Sequence, residues 1–391
     1  MLIWALIIAD LVSGLLQTLE FSFYRVGLVL KGLIILGLFV LYLTRLSNKT
    51  FLSLYLVMLI LSALWLIGFV ISWINIPFFD AADSLVVLNR YLLFFILATA
   101  FVDWSVSPMF QDETKSIFEN FLALNNFFIF AGLIFGIHVF STYDPFGDMQ
   151  GFSRFGYKGL IFGQNAVAGI YTLGVAYLFR ETFKYKRPKM VLLAITFIAA
   201  IVIGAKATWI TAMLIAGYYL FKYRFKTFIA IVIPTVVILA YVGITYWPYI
   251  QQNYFAFLVE KYESLDFYTF WTSNRNRLLT DTMEHISDTW TFINYITGDA
   301  SSYVEMDFFD LYFFFGVGAI LYLYMYNKFF FLKDKSVDNK YFFFIWMSMA
   351  FVAGHLINSA IVPLFFLLYI FSASPGLESP YHKIAASSTA V

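Results

Sequence analysis

The chain contains no cysteine. That excludes disulfides, thiolate metal sites and a cysteine nucleophile. Histidine is scarce, with four in 391 residues, which argues against a multi-histidine metal centre. Charged residues make up only 13%, where a soluble domain carries roughly a quarter. This deficit excludes an ordinary soluble globule. Neither sign of charge dominates: 25 Lys+Arg against 24 Asp+Glu leave a net charge of +1, so no global field draws in nucleic acid. The N-terminal MLIWALIIADLVSGLLQTL lacks a basic leader and a small-residue cleavage site. It reads as a first membrane span rather than a cleaved signal peptide.

Apolar residues are abundant. They account for 61% of the chain, with 48 Phe and 27 Tyr, and the mean hydropathy is +0.79. A helix needs about 20 apolar residues to cross a bilayer. Twelve segments qualify: 2–19, 26–44, 51–74, 84–104, 119–140, 159–179, 190–205, 207–222, 227–246, 308–326, 341–354 and 356–371. They do not alternate apolar and polar as the strands of a membrane barrel do. The expected fold is therefore an all-α polytopic membrane protein. Residues 1–371 form its single transmembrane domain, and 372–391 a disordered cytoplasmic tail. Two pairs of spans are joined almost without a loop, around Lys206 and around Gly354-His355, as tight hairpins or re-entrant pairs.

With the N-terminus inside, 16 of the 25 basic residues fall on inner loops, as the positive-inside rule requires. Arg25, Lys31, Arg90, Arg154, Lys158, Lys206, Lys261, Arg275 and Arg277 fall outside or in the outer part of a span, and each needs a reason. Residues 248–307 make one large outer loop between spans nine and ten. Within it Leu279, Met283, Ile286, Trp290 and Ile293 share one helical face, and Arg277, Asp281, Glu284 and Asp288 the opposite one. This predicts an amphipathic helix capped at Ser273 and stopped at Gly298.

Several constellations can carry chemistry. Arg154 and Lys158 stand in a glycine-rich stretch followed by Gln164 and Asn165. They are either an anion clamp or cations touching lipid headgroups. Lys206, held by a short turn, either snorkels to headgroups or binds an anion. Arg275 and Arg277 begin a helix, where anions bind well, although Arg277 can simply pair with Asp281. Glu305, Asp307 and Asp310 enter the top of span ten. They either balance the outer arginines or supply a general base. Glu305 is the first candidate for the base, Asp307 the second, and His285 a third without a clear place. His355 and Asn358 turn between the last two spans, where a lone histidine is more often structural. Outward-facing guanidinium forks suit a lipid-linked phosphate or diphosphate. Tyr254, Phe255, Tyr262, Phe267, Tyr268 and Trp271 can stack on sugars or sit as interfacial aromatics.

On Arg154 to Asn165, Gly204-Ala205-Lys206, Ser273-Asn274-Arg275, Glu305 to Gly318 and Ala353-Gly354-His355, the chain resembles the O-antigen polymerase and ligase superfamily of bacterial envelope polysaccharide assembly. The resemblance spans most of segments six to twelve. It implies a helical fold of the GT-C glycosyltransferase type in the bacterial cytoplasmic membrane, with no metal or other cofactor. It implies undecaprenyl-diphosphate-linked oligosaccharide as substrate, membrane lipid around the site and a chain-length regulator as partner. By the same likeness Arg154, Lys206 and Arg275 would contact diphosphate. Glu305 stands where ligases carry a histidine, which favours the polymerase branch. Arg277 is followed eleven residues later by Asp288 rather than glycine, unlike the arginine repeat of some polymerases. The alternatives are a ligase, a transporter or flippase, and a sensor or scaffold. The latter two do not account for the outer cations as well.

Overall fold

The computed structural model describes residues 2–18, 26–44, 49–75, 79–143, 155–230, 272–301, 304–359 and 361–373, together with positions 234, 241, 245 and 269. Span nine beyond residue 230, the first part of the large loop with its aromatics, and the tail from 374 onward lie outside these residues, apart from those isolated positions.

The described chain is helical. Apart from helices it has turns and one isolated bridge, between Ser141 and Tyr157. Its helices are α1 (Leu2–Thr18), α2 (Val26–Leu43), α3 (Lys49–Asn75), α4 (Ala81–Trp104), α5 (Pro108–Phe135), α6 (Gln164–Phe179), α7 (Met190–Val202) and α8 (Lys206–Tyr223). Beyond the large loop come α9 (Arg275–Thr289), α10 (Phe292–Thr297), α11 (Asp307–Phe315), α12 (Gly318–Phe330), α13 (Val337–Val352) and α14 (Val362–Ser372).

Three helices, over Phe51–Asn75, Ala81–Trp104 and Met109–Phe135, are long and apolar enough to cross a membrane. Their apolar residues are not confined to one stripe, which is how a helix reads when it meets lipid on one side and protein on the other. Leu59, Ile74, Phe127, Ile134 and Phe344 are all more than 60% exposed. Such a belt is incompatible with water on every side. The centre belongs to α6 and α14. Every residue of α14, and all of α6 from Ala166 onward, is buried.

Cationic loops gather at one end. Lys184 Nζ lies 3.0 Å from Asp334, Lys222 pairs with Asp338, and Lys189 Nζ lies 2.7 Å from Glu119. Arg180 is buried between the rings of Tyr177 and Tyr369, its Nη2 donating to Ser372 Oγ at 2.8 Å. This is the end that the charge bias assigns to the inside. The opposite end is called outer below.

Four predicted spans differ from what forms. Span five, expected over 119–140, runs from Pro108 to Phe135. Span ten, expected unbroken over 308–326, is two helices separated at Gly316-Val317. The freed backbone is satisfied from the loop: Val317 N donates to Ile296 O at 3.0 Å, and Asp299 N to Phe313 O at 2.9 Å. Irregular backbone survives at membrane depth only with such protein partners. Gly316 has φ 55, and a Cβ there would stand 2.3 Å from Ile296 O, so only glycine fits. Span twelve starts late, at Val362, because residues 353–359 run as bends. Span six starts at Gln164. The amphipathic helix is also two pieces. A capping box of Thr291 and Asn294 restarts it as α10, which ends at the expected Gly298. Ile286 is buried and Leu279 and Trp290 pack beside it, but Met283 and Ile293 are half exposed. The segment tucks against the outer ends of α3 and α4, where Ser72 Oγ donates to Asp299 O and Ser84 Oγ to Ala300 O.

Candidate functional site

Three backbone turns meet at the outer end. The first precedes α9. Ser273 and Asn274 have φ of 53° and 73°, and the helix cap is Asn274 rather than the expected Ser273. Asn276 ties this start to the preceding segment, donating to Thr269 Oγ1 at 2.6 Å and accepting from Thr272 Oγ1 at 2.8 Å. Arg275 follows as the first helical residue. Its Nη2 donates to Glu305 Oε2 at 3.2 Å, while its Nε is buried with no hydrogen-bond partner among the described residues.

The second turn carries Glu305 and the third His355. Both are left-handed, with φ of 53° and 68°. For a residue with a Cβ this costs on the order of 1–3 kcal/mol and persists only where surroundings impose it. The first turn of α11 imposes both. Asp310 accepts from Val304 N at 2.9 Å and Met306 N at 3.1 Å, on either side of Glu305. Asp307 accepts from His355 N, Leu356 N and Ile357 N at 2.9–3.0 Å. Both aspartates are buried. The two turns touch backbone to backbone, since a Cβ on Gly354 would lie 2.3 Å from Glu305 O.

The result brings Glu305 Oε1 within 3.9 Å of His355 Nε2. That is an ion-pair distance rather than a hydrogen bond. His355, and after it Arg275, hold the Glu305 carboxyl down at about 2 against its partial burial. In return Glu305, with Asp307 behind it, raises His355 above the usual 6.5, while burial and the charge of Arg90 oppose the rise. A carboxylate held that low is a weak proton acceptor. An imidazole oriented by a carboxylate is a better one. Asp307 has given both oxygens to amides, so it holds the His355 turn rather than offering a base.

The remaining sequence candidates divide. Lys206 is the first residue of α8. That helix runs antiparallel to α13, with Tyr218 stacked on Tyr341 at 4.1 Å and bonded to Asp338. With equal rise along both helices, Lys206 stands level with the last turn of α13, about one turn short of His355. Lys158 rests its Nζ 5.5 Å over the Phe162 ring, and burial lowers its pKa. No ion pair or hydrogen bond among the described residues joins Lys158 to the Arg275 cluster. Gln164 Nε2 donates to Tyr143 at 2.8 Å. Asn165 is partly buried at the head of α6. Arg277 is exposed, and no ion pair joins it to Asp281. His285 is exposed on α9. Arg154 lies outside the described residues. Among these residues no group of three His, Asp or Glu is placed to hold a metal ion.

The role of Asp310 was missed in the sequence. A signal exists: Asp307 and Asp310 share one helical face at the head of an apolar helix, which suits two carboxylates working on adjacent turns. No known protein family matches this chain, and no curated protein or solved structure matches it either.

Proposed function

We propose that this protein is a polysaccharide polymerase of the bacterial cytoplasmic membrane, of GT-C type with about twelve spans. It would join glycan from an undecaprenyl-diphosphate donor to a lipid-linked acceptor on the outer face. One observation carries the reading. A guanidinium with a buried, unpartnered Nε stands beside a strained carboxylate–imidazole pair. A fork for phosphate oxygens next to a proton acceptor is what glycosyl transfer from a diphosphate needs.

In this reading the acceptor hydroxyl attacks the anomeric carbon, and the bond from that carbon to the diphosphate oxygen breaks. The bonding electrons leave with the diphosphate, whose charge Arg275 and Lys206 stabilise. The hydroxyl proton passes to His355 Nδ1, the ring nitrogen turned away from Glu305. Glu305 holds the ring and stabilises the imidazolium.

The test uses purified protein with lipid-linked repeat units. Arg275→Ala lowers polymer formation about 10²–10³-fold, as loss of a transition-state donor does. Arg275→Lys stays impaired because a point charge cannot reproduce the fork. Arg224→Ala, at the inner end, is unaffected. Normal polymer from Arg275→Ala and Lys206→Ala refutes the reading. A histidine base in the cluster would also serve the ligase alternative, although the position where ligases carry their histidine is held here by Glu305. Transfer to a different acceptor without chain growth would decide for it.

A further inference from the structure

Arg90 lies on α4, about 13 Å below the start of that helix. It is partly buried, and no hydrogen bond or ion pair joins it to any of the described residues. Arginine at membrane depth is costly and is ordinarily paired with a carboxylate or water. Among the described residues the nearby acids are already used. Asp10 pairs with Lys31, Asp307 serves three amides and Asp310 two. Asp83 attracts Arg90 without touching it.

The surroundings place Arg90 under the site. The ring of its neighbour Tyr91 packs 5.2 Å from Phe314 and 5.3 Å from Phe315, at the inner end of α11. Helical side chains lean toward the N-terminus of their helix. On α4 that direction is outward, from the Phe314 level toward Asp310 and Asp307 at the head of α11. Asp83, Val86 and Arg90 lie along one face of α4, with Asp83 exposed and Arg90 only partly so. Asp83 near the outer surface and Arg90 two turns deeper thus share this face, with Val86 between them.

We propose that Arg90 binds a phosphate of the lipid-linked donor from the membrane side of the Arg275–Glu305–His355 cluster. The proposal rests on the diphosphate reading above. The chemistry it requires is a lipid phosphate ester, and that has two sources, the polyprenyl carrier and bilayer phospholipid.

The experiment measures binding of undecaprenyl diphosphate to full-length protein in discs of phosphatidylcholine and in discs of a neutral, phosphate-free glycolipid. Wild type, Arg275→Ala, Arg90→Gln and Arg90→Lys are compared, with melting temperature as the check on folding. Arg90→Gln should bind about ten- to a hundredfold more weakly in both discs, the loss of one charge-assisted contact, and Arg90→Lys should recover part of it. Unchanged binding by folded Arg90→Gln, with Arg275→Ala weakened, overturns the role of Arg90 and leaves the diphosphate reading intact. A defect seen only in phosphatidylcholine assigns Arg90 to bilayer headgroups and also overturns it. No binding by wild type ends the diphosphate reading and this inference together. If either Arg90 variant misfolds, crosslinking of a photoreactive undecaprenyl diphosphate to wild type decides, and absence of label on α4 overturns the proposal.

Discussion

Glu305 and His355 each occupy a conformation that their side chains disfavour, and each faces the other. Their mutual charge makes the pH response of the pair predictable. Glu305 is held near 2 and His355 above 6.5. If His355 takes the acceptor proton, activity rises with pH as the imidazole deprotonates. Glu305→Gln removes the largest influence raising that pKa, so the acid limb of the pH–rate profile moves to lower pH. A profile unchanged by Glu305→Gln would assign the proton to another group. Stability follows a different window. Glu305 lies well below its ordinary 4.5 when folded, so its contribution is present above about pH 4.5 and fades as pH falls toward 2. Its carboxylate is more than half exposed, so solvent screens the contribution. Glu305→Gln should flatten acid destabilisation in that window, read by thermal melts at a series of pH values.

At the scale of elements, α11 organises the site. It is the first half of the segment expected as span ten. Its head holds two loops, and its tail is completed by α10. Asp310→Ala leaves the amides of Val304 and Met306 without their acceptor. Two stranded buried donors cost about 1–3 kcal/mol each. Thermal unfolding should show that loss, and polymer formation should fall with it as Glu305 leaves its strained turn. Gly316→Ala tests the tail. The new methyl meets Ile296 backbone at a position that also has φ 55. Strain of this kind costs about 1–3 kcal/mol, with overpacking added. The melting temperature should drop, whereas Gly217→Ala, where nothing lies within 4 Å, should not lower it.

The whole molecule has two chemically different ends. One gathers Lys184, Lys189, Lys222, Asp334 and Asp338, the other Arg275, Glu305 and His355. If the first faces the cytoplasm, exposed positions at the two ends differ in access from outside. The cysteine-free chain allows a direct check. Ser287→Cys on α9 should react with an impermeant thiol reagent in intact cells. Val337→Cys, at a position 66% exposed at the other end, should react only after lysis. Equal labelling in intact cells would overturn the orientation.

Much of this was legible in the sequence because it depends on composition and local period. The charge deficit and long apolar runs dictate helices suited to a membrane, since unpaired backbone cannot stand in lipid. The stop at Gly298, the close junction at Lys206, and Arg275 and Glu305 as candidates came from residue type and position alone. Other features depended on contacts between segments far apart in the chain. Asp307 is 48 to 50 residues from the amides it holds, and no local pattern reveals that its oxygens are occupied. The break at Gly316 exists because Ile296 and Asp299 complete its backbone, and the same apolar letters would otherwise continue as one helix. The left-handed turns at Glu305 and His355 run against local preference. Only the packing of α11 between two loops makes them the lowest-energy choice, and so only the tertiary structure decided which side chains meet.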